Sequence, residues 1–332
     1  MDLIAYTYDL VRQVPAGQVT SYGAVAAALG DGLAARAVGR MMNQNPDPEG
    51  MPCFKVVHSD GRLGGFGLGL EDKVRRLARD NVRVRDGRIV DFSRVFFNEF
   101  ATEFPLRQLR REQQRLSQQV RVEDDFAPLE VIAGIDVAYP PSEFAKACGA
   151  LVAVEYETGE VVEERTVSLS TRFPFIPTYF SYREFPFVER LLKMAASVPS
   201  VVLLDGQGIL HPVRCGFASH AGVVCDVPTV GVAKSHLYGR IEGSDVWVDD
   251  ERRGVAVCSG SATRPLFISP GHRVSLGSCV EIVKKVSRLK QPEPLRLAHV
   301  LAGEELREKR QVVARDDRDA MRVAPFRQRA GL

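Results

Sequence analysis

The 332-residue sequence holds few cysteines and no cysteine pair: Cys53, Cys148, Cys215, Cys225, Cys258 and Cys279 are irregularly spaced, with no CxxC. That pattern suggests neither a zinc site nor a disulfide framework, so a reducing cytosol is the expected setting. No stretch approaches the roughly 18 apolar residues of a membrane span, and the opening MDLIAYTYDLVRQV lacks an uninterrupted apolar core before a small-residue cleavage site. The expected location is the cytoplasm, with no membrane partner. Net charge is also scarce: 44 basic against 42 acidic residues leave +2, so bulk charge neither requires nor excludes a polyanion. Internal repeats and low-complexity tracts are missing. What is present, 45% hydrophobic and 26% charged residues, is a globular composition. At roughly 150 residues per domain, the length asks for two cores.

The two halves differ in texture. Residues 1–94 read as mainly helical. Tyr6, Leu10 and Val11 mark one apolar face, Thr20 or Ser21 caps YGAVAAALG, and Gly30-Asp31-Gly32 turns into LAARAVGRMMNQN. Two short helices about a glycine turn outline a helix-turn-helix, an outline that ordinary helix packing also produces. The Asp86-Gly87 turn of VRVRDGRIV predicts a hairpin, giving a winged-helix-like, DNA-binding arrangement. Lys73, Arg75, Arg76, Arg79, Arg83, Arg85, Arg88 and Arg94 face only Asp80, Asp86 and Asp91, which is either a solvated helix face or a phosphate-binding patch. Residues 95–128 form a linker and leading helix, LRQLRREQQRLSQQV, stopped by Asp124, Asp125 and Pro128. Residues 129–305 carry strands at LEVIAGIDVAY, CGALVAVEYE, VVEERTVSL, VVLLDGQG, PTVGVAKS, GVAVCSG and PLFIS. Helices interleave at REFPFVERLLKMAA, VRCGFASHAGVV and LGSCVEIVKKVSRL, so a mixed α/β sheet with helices on its faces is expected. Residues 306–332 read as a basic C-terminal tail.

Three carboxylates stand out in the second half. Asp136 interrupts the apolar strand GIDVAY, where a charge is costly unless paired. Asp205 ends VVLLD just before Gly206-Gln207-Gly208, at the carboxyl end of a strand where sites in open sheets form. Glu184 starts a helix in SYREFP. Together they suit a hard cation such as magnesium, which takes oxygen ligands. Singly, Asp205 also reads as a turn or cap residue, Glu184 as a first-turn acid and Asp136 as half of a buried ion pair.

The ordered motifs GIDVAY, FPFIPTYFSYREFP, DGQGILHPVRCGFASHAGVVCDVPTVGVAKS, SPGHRVS and PEPLRLAH resemble endonuclease V over roughly residues 105 to 305. The resemblance implies a ribonuclease H-like fold that nicks a strand 3′ to deoxyinosine or other deaminated bases, and in some members acts on inosine in RNA. It implies Mg2+, with Mn2+ able to substitute. The metal carboxylates fall on Asp136, Glu184 and Asp205, and the site histidine on His272. His211 and Lys234 match two further site positions, Lys234 suiting a phosphate or the attacking water; a satisfied histidine and a surface lysine are the plainer readings. FPFIP matches a wedge loop that fills the gap left by an extruded base, with Phe175 where tyrosine is usual, so stacking survives and a phenol hydrogen bond does not. Gly206, Gly208 and Gly216 would let backbone amides approach the flipped base, or serve plain turns and packing.

VPAGQVTSYGAVAAALG, AARAVG, NQNP, PCFKVV and LGGFGLGLEDK resemble the DNA-binding domain of alkylguanine-DNA alkyltransferases and their non-catalytic alkyltransferase-like relatives, over about residues 3 to 85. The resemblance places the arginine finger on Arg36, the nucleotide-turning tyrosine on Tyr22, the hinge asparagine on Asn45, a pocket aromatic on Phe66 and the alkyl acceptor on Cys53. The relay departs from the family: Phe54 replaces histidine, and Asp80 replaces glutamate. An unassisted thiol with a pKa near 8.5 keeps a few per cent thiolate at neutral pH, so slow transfer stays open while lesion binding is favoured. The expected partner is single- or double-stranded DNA with deaminated or alkylated bases, and the expected state a monomer. The alternatives are residual alkyl transfer at Cys53, an inosine-RNA ribonuclease, and a non-catalytic lesion sensor, against which the complete carboxylate set argues.

Overall fold

The computed structural model describes residues 1–142, 145–258, 264–288 and 290–323. Ser259 and Gly260 of GVAVCSG, Leu289, and residues 324–332 of the expected tail lie outside the described residues. The chain opens with α1 (Leu3–Arg12), β1 (Thr20–Ser21), α2 (Tyr22–Leu29) and α3 (Ala35–Asn43). Ser21 caps α2 by accepting from the Ala24 amide at 3.0 Å, and Gly30 ends it at φ 106°, a left-handed turn open to glycine. The expected helix-turn-helix is therefore α2 and α3. Ala37, Val38, Met41 and Met42 of α3 are buried while Arg36 is exposed. β2 (Val56–Val57) pairs with β1 in parallel, and α4 (Leu70–Arg79) follows. The hairpin of β3 (Val84–Arg85) and β4 (Arg88–Ile89) turns through Asp86 and Gly87, both at positive φ, as a two-residue hairpin turn demands. A short α5 (Phe92–Val95) closes the unit.

Of the linker and leading helix expected over 95–128, the helix forms and the linker proves to be packed structure. Val19 donates to the Val95 carbonyl at 2.8 Å and Phe97 donates to Val19 at 2.7 Å, so the first unit runs past residue 94. In α6 (Pro105–Ser117) the buried Leu106, Leu109, Gln113 and Leu116 share one face of an otherwise charged helix. Leu106 and Leu109 enter a core with α1, α2 and α3, and Phe173, Ile176 and Tyr179 from the second half enter the same core.

The second half folds as β5 (Val131–Ala138), β6 (Lys146–Glu155), β7 (Val161–Ser170), α7 (Phe180–Met194), β8 (Val201–Leu204), α8 (Phe217–Cys225) and β9 (Thr229–Ala233). Then come β10 (Arg240–Glu242), β11 (Asp245–Val248), β12 (Glu251–Val257), β13 (Leu266–His272), α9 (Leu276–Lys285) and α10 (Glu293–Val323). One nine-stranded sheet has the order β10-β11-β12-β13-β9-β8-β5-β6-β7, parallel only across β5, β8 and β9. Helices α7 and α8 cover one face, and α9 and α10 the other. The backbone of α10 stays helical to Val323, through residues 306–323 of the expected basic tail.

Strand alternation places Ala133 and Ile135 of β5 under α7 and α8, and Ile132 under α9 and α10. Asp136 falls on the α10 face. Gly134 lets α10 dock there, because a Cβ on it would lie 2.3 Å from the Pro294 carbonyl carbon. Gly134→Ala should therefore destabilise the fold by about 1–3 kcal/mol, the usual cost of overpacking, as read from urea denaturation. An unchanged midpoint would contradict this close docking.

Candidate active site

The register Ile135↔Leu204 between β5 and β8 sets Asp136 beside Asp205, and Lys234 follows the neighbouring β9. Glu184 arrives from α7, His299 from α10 and Arg40 from α3. All six line one cavity of about 420 Å³. Asp136 is 8% exposed and Glu184 4%. Burial pushes the Glu184 carboxyl well above its usual range, and the neighbouring Asp136 and Asp205 push it further. Burial also raises Asp205, against the opposing charge of Lys234. The Lys234 ammonium donates to Asp205, and the carboxylates around it outweigh its own desolvation to hold it protonated. His299 Nδ1 lies 2.6 Å from Asp136 Oδ2.

A metal fits this cavity by the chemistry of its donors: the acids are all oxygen ligands, their like charges are confined together, and a hard divalent cation offsets that repulsion. Among the described residues, no three His, Cys, Asp or Glu side chains converge closely enough to form a ready-made ligand set.

A second cavity of about 280 Å³ shares Phe175, Phe180, Asp205 and Lys234 with the first and adds Gly206, Gln207, His211, Gly216 and Phe217. Phe175 is 42% exposed at its mouth and meets Phe180 edge-on at 5.7 Å. Gln207 is 6% exposed; its amide nitrogen donates to Ser235, while its Oε1 is buried without a partner among the described residues. Such an acceptor is costly to bury unless something completes it.

Several expected roles change. Both ring nitrogens of His211 are engaged: Nε2 donates to Thr178 O at 3.0 Å and Nδ1 accepts from Val213 N at 3.3 Å. Burial pulls its pKa down to about 3, so it stays neutral and braces the Thr178 loop. The Gly206, Gly208 and Gly216 amides are committed to Leu204, Ser269 and Gly208, so none is open to a base. A Cβ on Gly208 would lie 1.9 Å from Pro270 O, which assigns that glycine to packing. His272 lines neither cavity. β13 runs antiparallel to β9 and pairs His272 with Thr229, at the opposite end of β9 from Lys234. Its Nδ1 accepts from the Arg121 amide at 3.3 Å, and Asp226 lies 3.9 Å from Nε2. His299, the final residue of PEPLRLAH, is the histidine brought to the carboxylates. Its place at the end of PEPLRLAH is the sequence signal for it.

The first half presents a separate group around Cys53, which is 1% exposed. Asn45 donates to its Sγ at 3.2 Å. Burial pushes the thiol up to about 12 despite Asn45 and the buried Lys73, so the expected few per cent of thiolate is not sustained. Lys73 is wholly buried, donates to the Val56 and Gly64 carbonyls, and is pulled down to about 8 by that burial. Asp80, at the relay's acid position, is held by Lys55 at 2.8 Å. Tyr22 packs edge-on to His58 at 5.4 Å, and Phe66 lies beneath Arg76 at 5.8 Å.

A cavity of buried carboxylates at the ends of parallel strands, beside an aromatic pocket and a helix-turn-helix unit, defines a nucleic-acid nuclease joined to a DNA-binding domain. Comparison with known proteins agrees. The Endonuclease V family matches residues 114–300, and the 6-O-methylguanine DNA methyltransferase DNA binding domain matches residues 4–82. A bifunctional methyltransferase/endonuclease of Picrophilus torridus is 40% identical over 299 residues, 90% of this chain and 95% of that protein. The corresponding protein of Thermoplasma volcanium is 37% identical over 302 residues, 90% of this chain and 89% of its own. The structure of Ciona intestinalis Endonuclease V, in complex with a 24mer DNA containing an inosine followed by a ribo-adenosine, has 28% identity and a TM-score of 0.58, covering 62% of this chain and 99% of that one. The chain belongs to the endonuclease V family, with a 6-O-methylguanine DNA methyltransferase DNA-binding domain preceding the nuclease. Among the described residues, no helix is long and apolar enough to cross a membrane.

The raised Glu184 carboxyl sets a pH dependence. A group whose folded pKa lies above its unfolded value, ordinarily about 4.5 here, stabilises the fold below that value and loses this contribution as pH rises through the raised one. Asp205 acts in the same sense. In chelator, the melting temperature should fall as pH rises from 5 to 8, less steeply in Glu184→Gln. A slope unaltered by that substitution would contradict the assignment.

Proposed function

We propose that the chain is a magnesium-dependent endonuclease that nicks DNA 3′ to deoxyinosine and other deaminated bases. The observation that carries this is the union of a carboxylate cavity and an aromatic, base-sized pocket across one shared wall, Asp205 and Lys234. Asp136, Glu184 and Asp205 would hold the ion, and Mn2+ would satisfy the same oxygens. When bound, the ion stabilises charge developing on the phosphate. His299 holds the Asp136 carboxylate in place, and Lys234, anchored at Asp205, presents a point charge to a phosphate oxygen or the attacking water. Phe175, half-exposed between the cavities, would fill the gap in the stack while the extruded base enters beside Phe180 and Phe217. Gln207 Oε1 would accept from N1–H of hypoxanthine, a donor that adenine lacks.

The N-terminal domain would bind DNA through Arg36 and Tyr22 without transferring alkyl groups at speed, because Cys53 is protonated and Phe54 supplies no base.

Asp136→Ala, Glu184→Ala and Asp205→Ala should each lower nicking of a deoxyinosine duplex by roughly a hundredfold or more while the fold persists, since several kcal/mol of charge stabilisation depends on them. Full nicking by any of them, or in excess EDTA, would remove the metal assignment. Phe175→Ala should weaken cleavage of a paired lesion more than of an unpaired one, because only the former must leave a stack; equal losses would count against the wedge. Arg36→Ala should cost roughly 1–3 kcal/mol of lesion-DNA affinity, the range for a lost stacking partner, with Cys53→Ser near neutral. Labelled methyl from O6-methylguanine appearing stoichiometrically on Cys53 within minutes would overturn the binding-only reading.

A further inference from the structure

The helix expected to enter DNA from the first domain is tied to the mouth of the nuclease. On α3, Arg40 Nη2 donates to the Phe175 carbonyl at 2.7 Å, and its guanidinium lies over the Phe175 ring at 5.6 Å. One turn on, the C-cap residue Gln44 donates through Nε2 to the Pro141 carbonyl at 3.3 Å. Phe175 and Pro141 both line the carboxylate cavity, as does Arg40 itself. Residues 40 and 44 are spaced i, i+4, so one face of α3 braces two segments of that cavity at once.

From this geometry we infer that Arg40 is a positioning residue for the endonuclease, supplied by the other domain: it fixes the Phe175 backbone and ring so that the wedge enters the duplex already oriented. Phe175 needs such a brace. Its neighbours Phe173 and Ile176 are anchored in the core, whereas its own ring is 42% exposed and meets solvent at the cavity mouth. A donor to its carbonyl and a cation over its ring restrict both the backbone and the side chain, which lowers the ordering cost of stacking between bases. Arg40 acts through Phe175 and not on the reacting phosphate, and this separates it from Lys234.

The inference rests on the nuclease reading of the cavity, and the experiment keeps the two apart. Wild-type nicking of deoxyinosine DNA tests that reading. Amide hydrogen exchange over residues 171–179, measured on the full chain without substrate, tests the brace alone: Arg40→Ala should accelerate it, while Arg40→Lys, which keeps a donor and a cation, should stay near wild type. In the nicking assay Arg40→Ala should lower cleavage of a paired deoxyinosine by about tenfold and of an unpaired one by less than about threefold, since only pairing makes extrusion costly. The double variant Arg40→Ala/Phe175→Ala should cut no more slowly than Phe175→Ala, the non-additivity expected of residues acting as a unit. Thermal melting confirms that each variant folds. Unchanged exchange over 171–179, equal losses on both substrates, or multiplying losses in the double variant would overturn the role, the last by showing that Arg40 touches substrate directly.

Discussion

Like charges do not share one cavity without compensation, and Asp136 and Glu184 are buried there beside a half-buried Asp205. Most of the nuclease half answers that constraint. Lys234 leaves β9 at the point where it reaches Asp205, and α10 is drawn onto the sheet by Gly134 so that His299 reaches Asp136. Glu184, deepest of the three, carries the largest burden of burial, relieved in part by the Tyr139 hydroxyl and the charge of Arg183.

The second constraint is apolar. Phe173, Ile176 and Tyr179 leave the nuclease half to fill a core built by α1, α2, α3 and α6, and each is almost fully buried there. Burial of such side chains contributes about 1.5–3 kcal/mol apiece, which outweighs the default freedom of two tethered domains. Polar contacts give the junction its register: the Tyr179 hydroxyl donates to Asp31 at 2.7 Å, and Arg110 stacks over the Tyr179 ring at 4.3 Å. The wedge is therefore set in a loop whose two flanks belong to the DNA-binding domain's core. In the proposed function, base extrusion by one half and DNA contact by the other would meet at this shared core.

Much of this was readable from residues. A lone aspartate in GIDVAY and another closing VVLLD announce a site because strands so apolar tolerate charge only for a purpose, and both strands sit where they were expected. The turn at Gly30 and the hairpin at Asp86-Gly87 were legible because backbone geometry selects those residue types. Histidine was harder. His272 stands within SPGHRVS and His299 closes PEPLRLAH, and only the fold separates them: β13 carries its last residue to the wrong end of β9, while α10 runs across the carboxylates. The helix of the connector is legible but its packing is not, because α6 exposes charge on most of its circumference and hides a thin stripe at Leu106 and Leu109. The raised pKa of Cys53 has no sequence signal, because burial is a property of the fold, not of its neighbours in sequence. Arg40 carries no sequence signal at all, since its partner lies 135 residues away.

The central proposal is that Asp136, Glu184 and Asp205 together take a hard divalent cation, in competition with the proton that burial favours on Glu184. Calorimetric titration of the full chain with Mg2+ or Mn2+ at neutral pH, repeated in buffers of different ionisation enthalpy, tests it most directly. The account predicts saturable binding with net proton release, and the release should vanish in Glu184→Gln. Saturable binding with no change in heat between buffers, or no binding at millimolar cation, would contradict it.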